Sequence, residues 1–328
     1  MRRRDTLALL PSALLARAAG AQSPAPAAGW VPTRQVTLVV PFPPGGPTDL
    51  CARVMQPGMQ AALGVPVIVE NRPGATGALG SRYVAAAAPD GHTLLVAAGG
   101  TLTINPVIMA RPGYDAEKDF APVTLAMNAP NMLVVHPSVP ARTVAELVAW
   151  IKAQPGGVNY ASSGTGSAEQ LGFELFRLRT GTEGVHVPFT GGAASATAII
   201  QNTAPIAMLN AATVGGFVNQ GTIRGIAVAG PIRFAQTPDV PTMAEQGLAD
   251  LISGSWTAVV APAATPVAAL DRLNAVMVAA LKAPDVVARL GSIGFVVDAS
   301  SRQVLADVIA GELARWRAVV RDARIEVN

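Results

Sequence analysis

The chain alternates between short runs of β-branched and aliphatic residues and longer stretches with helical periodicity, and loops rich in Gly, Ser, Thr and Pro separate the two. That pattern predicts α/β construction. Four junctions carry it most clearly. Val36–Val40 leads into PFPPGGPTD (41–49), Leu94–Val96 into AAGGT (97–101), Val158–Ala161 into SSGTGS (162–167), and Val185–Val187 into PFTGG (188–192). Helix starts are marked by residues able to accept an unpaired first-turn amide. Thr143 with Glu146, Ser167 with Gln170 and Thr242 with Glu245 have the spacing of a reciprocal capping box. Thr265 followed by Pro266 predicts another start, with proline at the first helical position. Beyond it Val267, Leu270, Leu273, Met277 and Leu281 form one apolar face, and Leu305, Ile309, Leu313, Trp316 and Val320 do the same over a last helix from about 302 to 323. Pro57 falls inside the helix expected after Thr48. A proline there removes a hydrogen bond and clashes with the preceding turn at a cost of roughly 3 kcal/mol, so a kink or a split is expected. No internal repeat is visible.

Length adds a second point: 328 residues suffice for two ordinary domains. Although half of the residues are apolar, no uninterrupted apolar run approaches the roughly 18 residues that span a bilayer. Residues 1–21 look like an export signal, with Arg2, Arg3 and Arg4 before an apolar stretch from Leu7 to Ala16 and small residues at Ala19–Ala21 for cleavage; a disordered tail is the alternative. Residues 22–30, rich in Ala and Pro, suggest a flexible spacer, with folded sequence starting near Val31. This segment changes the charge picture. It holds four of the 24 Lys and Arg and one of the 21 Asp and Glu, leaving 20 of each sign in the mature chain. The basicity therefore belongs to the leader, and a nucleic-acid footprint is absent. A single cysteine, Cys51, excludes an intramolecular disulfide and a thiolate metal site.

Loops at the carboxyl ends of parallel strands are where open α/β sheets bind ligands, and the helices that follow aim their first amides into the same crevice. Glycines at 45, 46, 99, 100, 164, 166, 191 and 192 allow close backbone approach there. Thr48, Thr101, Ser162, Ser163, Thr165, Ser167 and Thr190 offer hydroxyls. Such groups suit a carboxylate without any lysine or arginine. Gly-rich turns occur in every α/β fold, so it is the shared chemistry of four loops that points to a site. Asp49, the one acid among them, is expected to cap the adjacent helix, with orientation of the loop amides or a hydrogen bond accepted from the ligand as the alternatives. Phe42 and Phe189 are placed either as apolar pocket walls or as core, and Trp256 as core or domain-interface packing.

Other chemistries fit poorly. No phosphate-loop or dinucleotide string exists, His92, His136 and His186 lack metal-ligand spacing, and Ser163 is not in a nucleophile elbow and has no assignable base. No cofactor is expected.

Several stretches resemble the tripartite tricarboxylate transporter substrate-binding family, also called the Bug receptors. They are VPFPPGG-T-D (40–49), VIVENRPGATGALGS (67–81), APDGHTLLVA (88–97), YASSGTGS (160–167), VHVPFTGG (185–192), PDVPTMAEQG (238–247) and SWTAVVAPAATP (255–266). The resemblance runs from about Val36 to the C-terminus. It implies a non-enzymatic receptor in the periplasm with the type II periplasmic-binding-protein fold: two α/β domains, a ligand cleft and crossing hinge strands. Domain 1 is expected over 31–130 plus 251–328 and domain 2 over 131–250, closing on a small carboxylate such as a di- or tricarboxylate, an acidic amino acid or an aromatic acid. The implied partner is a two-component membrane permease, and the receptor is expected to be a monomer. Carried over by position, the ligand contacts fall on Phe42 to Asp49 (Phe42, Gly45, Gly46, Thr48, Asp49), Ser162 to Ser167 (Ser162, Ser163, Gly164, Thr165, Ser167), Thr101, Thr190, Gly191, Gly192 and Asn210. Two departures stand out. QNTAPIAMLN (201–210) keeps Asn210 but lacks the family's acids, and Phe189-Thr190 replaces the usual Tyr-Lys or Tyr-Arg. Both make the second domain's side less charged, so the distal end of the ligand is expected to be less polar than citrate. An enzyme of small carboxylates on the same scaffold is the alternative function, and a receptor coupled to a sensor kinase a third.

Overall fold

The computed structural model describes residues 29–323; the leader and most of the proposed spacer lie outside the described residues. The described chain begins anchored, because the Trp30 indole donates to the Asp90 carbonyl at 2.9 Å and packs edge-on against His92.

A first α/β unit contains β1 (Val36–Val40), α1 (Pro47–Leu63), β2 (Val67–Asn71), α2 (Ala78–Ala85), β3 (Thr93–Ala98), α3 (Gly99–Thr103) and α4 (Asn105–Ile108). The long strand β4 (Phe120–Val135) leads out of it into a second unit of α5 (Val144–Lys152), β5 (Val158–Ser162), α6 (Ala168–Thr180), β6 (Gly184–Pro188), α7 (Gly192–Ile200), β7 (Ile206–Asn210), α8 (Ala211–Asn219) and β8 (Arg224–Val228). The chain returns through β9 (Gly254–Pro262) to α9 (Val267–Leu281), α10 (Pro284–Ser292), β10 (Val296–Val297) and α11 (Arg302–Asp322).

One twisted sheet runs through both units in the order β2-β1-β3-β9-β4-β7-β5-β6, with β8 and β10 also on β4. β4 makes the join. Its residues 120–130 pair antiparallel with β9, and its residues 131–135 pair with β7. β1 lies between parallel neighbours β2 and β3, and β5 lies between parallel neighbours β6 and β7. Each of these central strands is therefore a switch point, where successive connections depart to opposite sides and open a crevice beyond the strand's carboxyl end. The loops 41–49 and 162–167 follow those two strands.

β1 is buried at all five positions because helices cover both faces of the parallel sheet. Each fully buried Val or Leu in it contributes on the order of 1.5–3 kcal/mol. On one face Val36, Leu38 and Val40 pack with α1 and α9; on the other Val39 joins Trp256, Leu305 and Leu313. α11 extends the second layer across the join. Its Leu305, Ile309 and Leu313 lie in the core of the first unit, and its Trp316, Val319 and Val320 in that of the second.

Several local expectations meet a different outcome. α1 continues through Pro57 as one 17-residue helix, so it is not split. Pro57 stands on the exposed face, where the carbonyl left without a partner meets water. The Thr143–Glu146 box forms in full. Thr242 and Glu245 also bond reciprocally, but they open only a short 3-10 turn. Ser167 caps α6, whereas Gln170 reaches past it to accept the Gly166 amide at 2.7 Å. Pro266 occupies the cap of α9 and the helix begins one residue later than expected.

Candidate functional site

The β1–α1 loop is set by Asp49, whose side chain is 4% exposed. Its Oδ2 accepts the Gly45 amide and the Arg53 Nε, each at 2.9 Å, while Oδ1 accepts Asn71 Nδ2 at 2.9 Å. Burial disfavours the charged form, but the hydrogen bonds from Arg53, Gly45 and Asn71 outweigh it and hold the carboxyl at about 2. Asp49 thus secures a loop amide ahead of the helix instead of capping α1 itself. Gly46 occupies the cap position with no side-chain hydrogen bond, and Pro47 follows at the first helical position. The first-turn amides of Thr48 and Asp49 have no side-chain partner among the described residues. The positive end of a 17-residue helix is consequently free to receive an anion.

These amides adjoin a cavity of about 350 Å³ lined by Phe42, Gly46 and Thr48 from the loop, Ala98 from the end of β3, Ser255, Trp256 and Thr257 from β9, and Phe295. Register explains the meeting, since Ala98 pairs with Thr257. Trp256 lies against the bare Cα of Gly99, where a Cβ would come within 2.5 Å of the indole, and its Nε1 donates to Glu312 Oε2 at 3.0 Å. Thr101 stands behind Phe42. Its Oγ1 is buried without a hydrogen-bond partner, and with Phe42 Cζ it flanks the space that a Cβ on Gly77 would occupy, at 2.9 and 3.2 Å.

In the second unit the loops after β5 and β6 are tied together: the amides of Phe189 and Gly191 donate to the carbonyls of Ser162 and Ser163 at 3.0 and 3.2 Å. The hydroxyls expected to face a ligand are largely engaged within the protein. Ser162 Oγ is fully buried, bonds Gly164 and lies 2.6 Å from His186 Nε2. Ser163 donates to Glu169 at 2.8 Å, and Ser167 caps α6. Thr165 and Thr190 remain exposed. α7 starts behind Gly191, whose φ of 100° only glycine adopts readily, and it too has no side-chain cap. Asn210 is fully employed: Oδ1 accepts the Ala212 amide at 3.0 Å, and Nδ2 donates to Ser255 Oγ at 3.1 Å. That bond carries the end of β7 across to the cavity wall.

Of the residues singled out from sequence, Phe42, Gly46 and Thr48 line the cavity, and Gly45, Asp49 and Thr101 stand beside it. Ser162, Ser163, Gly164, Thr165 and Ser167, with Thr190, Gly191 and Gly192, belong to the second unit and do not line it. Phe189 packs against the core of the second unit. Ser255, Thr257 and Phe295 escape sequence reasoning because the pairing of β9 and β10 with distant strands brings them to the site, and Gly77 arrives on the turn Ala75–Gly77 that follows β2. A larger cavity, about 480 Å³, lies between α11 and the β4–β9 crossing; it shares Ser255 and Trp256 with the first and is also lined by Asp307, Glu312 and Arg315. Among the described residues no group of three or more His, Cys, Asp or Glu could hold a metal ion, and no helix is long and apolar enough to cross a membrane.

A sequence profile described as the tripartite tricarboxylate transporter family receptor matches residues 51–325. The Bordetella pertussis protein BugT is 34% identical over 292 residues, covering 89% of this chain and 90% of its own. A structure from Rhodopseudomonas palustris with adipate is 33% identical with a TM-score of 0.73, covering 90% of this chain and 99% of that one. A second from the same organism, with bound malate, is 33% identical with a TM-score of 0.70, covering 88% and 99%.

Proposed function

Because the chain belongs to the tripartite tricarboxylate transporter receptor family, we propose that it is a periplasmic solute-binding receptor that captures a small carboxylate and delivers it to a membrane permease of that transporter type. The observation that carries this reading is the uncapped start of α1 opening beside a cavity with no ionisable side chain in its walls. Two free amides and the helix dipole offer a carboxylate charge-assisted hydrogen bonds, with no nucleophile or acid positioned to transform it. The acid of a relative's ligand supports the same choice, since the two Rhodopseudomonas proteins were determined with adipate and malate.

The receptor acts as a monomer. Its lobes comprise 31–130 plus 251–328 and 131–250, they close by bending at the β4–β9 crossing, and the ligand sits between the loops at 42–49 and 101 and those at 162–167, 190–192 and 210. The switch of β4 from β9 to β7 between Pro130 and Asn131 supports that division. The leader directs export.

An enzymatic reading has one observation in its favour, the 2.6 Å contact of Ser162 with His186. Ser162 is fully buried and already bonded to both the amide and the carbonyl of Gly164, so no substrate carbonyl can approach it. Cys51 is no better placed, because burial pushes its thiol up to about 12. Mass spectrometry of small molecules released from the purified protein, followed by prolonged incubation with the acid found, tests the proposal. Recovery of the acid unchanged is expected; steady formation of a product would contradict it.

A further inference from the structure

Resting on the carboxylate-receptor reading, we infer that the ligand is a monocarboxylate carried on a flat apolar body, an aromatic acid, and not a di- or tricarboxylate. Phe42, Trp256 and Phe295 supply aromatic surface around the cavity, and Pro43, Pro44 and Pro47 extend its apolar wall. Not one residue lining it is ionisable. The loops 41–49, 97–105, 162–168, 188–194 and 210–213 contain no Lys, Arg or His, and their one acid, Asp49, is consumed by Gly45, Arg53 and Asn71; Arg72, in the loop that carries Gly77, is engaged by Glu70 and the Tyr83 ring.

Electropositive groups are accordingly scarce. α6 and α8 spend a first-turn amide on their own caps, Ser167 and Asn210. α7 is uncapped, but none of its residues lines the cavity. Of the helices of eight or more residues described, α1 alone brings an uncapped start to this wall; the five-residue α3 also begins there, at Ala98, without a side-chain cap. The Thr101 hydroxyl, on a residue 2% exposed, also has no partner among the described residues, but it stands behind Phe42, packed so closely on Gly77 that a Cβ there would come within 2.9 Å, and it does not line the cavity. The start of α1 orients one carboxylate. A second carboxylate in the same cavity would lose its water against aromatic rings with no counter-charge, which is unfavourable, whereas an aromatic ring there gains offset or edge-on contacts.

The test is calorimetric titration of the purified mature protein, freed of co-purified ligand by unfolding and refolding, with benzoate and 3-phenylpropionate against malate, adipate and citrate. At least one aromatic acid is expected to bind ten or more times more tightly than each polyacid. Phe295→Ala is expected to weaken the aromatic acid at least tenfold, and Phe295→Leu, which keeps apolar bulk, by less; circular dichroism confirms that both variants fold. Malate, adipate or citrate binding as tightly as the aromatic acids would overturn this inference and leave the receptor reading intact. Absence of binding by any carboxylate would overturn both.

Discussion

The Asp49 carboxylate and the Gly45 amide, 2.9 Å apart, hold the β1–α1 loop in place without consuming the helix start behind it. A conventional side-chain cap at position 46 would satisfy the amides that we assign to the ligand. Asp49→Ala leaves the Gly45 amide, Arg53 and Asn71 without their acceptor. The variant is expected to lose about 2–4 kcal/mol of stability and much of its ligand affinity, read by urea unfolding and calorimetry.

The same carboxyl sets an acid limit. Its folded pKa is depressed from 3.8 to about 2, so its contribution is complete above the unfolded value and is lost as pH falls from about 4 towards 2. That contribution is about 2 kcal/mol. Unfolding free energies measured at pH 5 and pH 2 should differ by about 2 kcal/mol less in Asp49→Asn than in the parent chain.

His186 is expected to work as a neutral imidazole. Burial lowers its pKa below 6.5, Tyr160 stacks on it at 5.1 Å, and its Nε2 meets Ser162 Oγ. Since the folded value lies below the unfolded one, stability is intact above pH 6.5 and declines as pH drops beneath it. Nuclear magnetic resonance titration of the His186 ring should give a midpoint lower than that of the unfolded chain, and His186→Phe should remove this acid-side decline.

Gly99 permits the close seat of Trp256. A Cβ there would meet the indole at 2.5 Å, with a rigid ring that cannot yield. Gly99→Ala is expected to destabilise by about 1–3 kcal/mol and to displace a cavity wall, so that ligand affinity falls with stability. By contrast, Thr143→Ala removes the α5 cap, far from the loops, and should cost about 1 kcal/mol while leaving affinity unchanged.

Much of the fold is legible in the sequence because its signals are local. Strand runs, the Thr143–Glu146 box and the apolar stripe of α11 need only neighbours in the chain. Pro57 shows where locality fails: an exposed position and packing of α1 on α9 keep the helix whole despite its intrinsic preference. The site divides in the same way. Phe42, Gly46 and Thr48 belong to a recognisable loop, whereas Ser255 and Phe295 reach the cavity through pairings with segments more than a hundred residues distant. Hydroxyl content misleads in the second unit. Composition marks Ser162, Ser163 and Ser167 as donors, but in the fold His186, Glu169 and the α6 amides already engage them.

On the proposed reading, free amides at the start of α1 recognise a carboxylate as such. Calorimetric titration of ligand-free protein with the acid it carries, alongside the methyl ester of that acid, addresses it most directly. The acid is expected to bind and the ester to bind roughly a hundredfold more weakly or not at all, because the ester lacks the charge that the helix start receives. Equal affinity for acid and ester would contradict recognition of the carboxylate by the helix start.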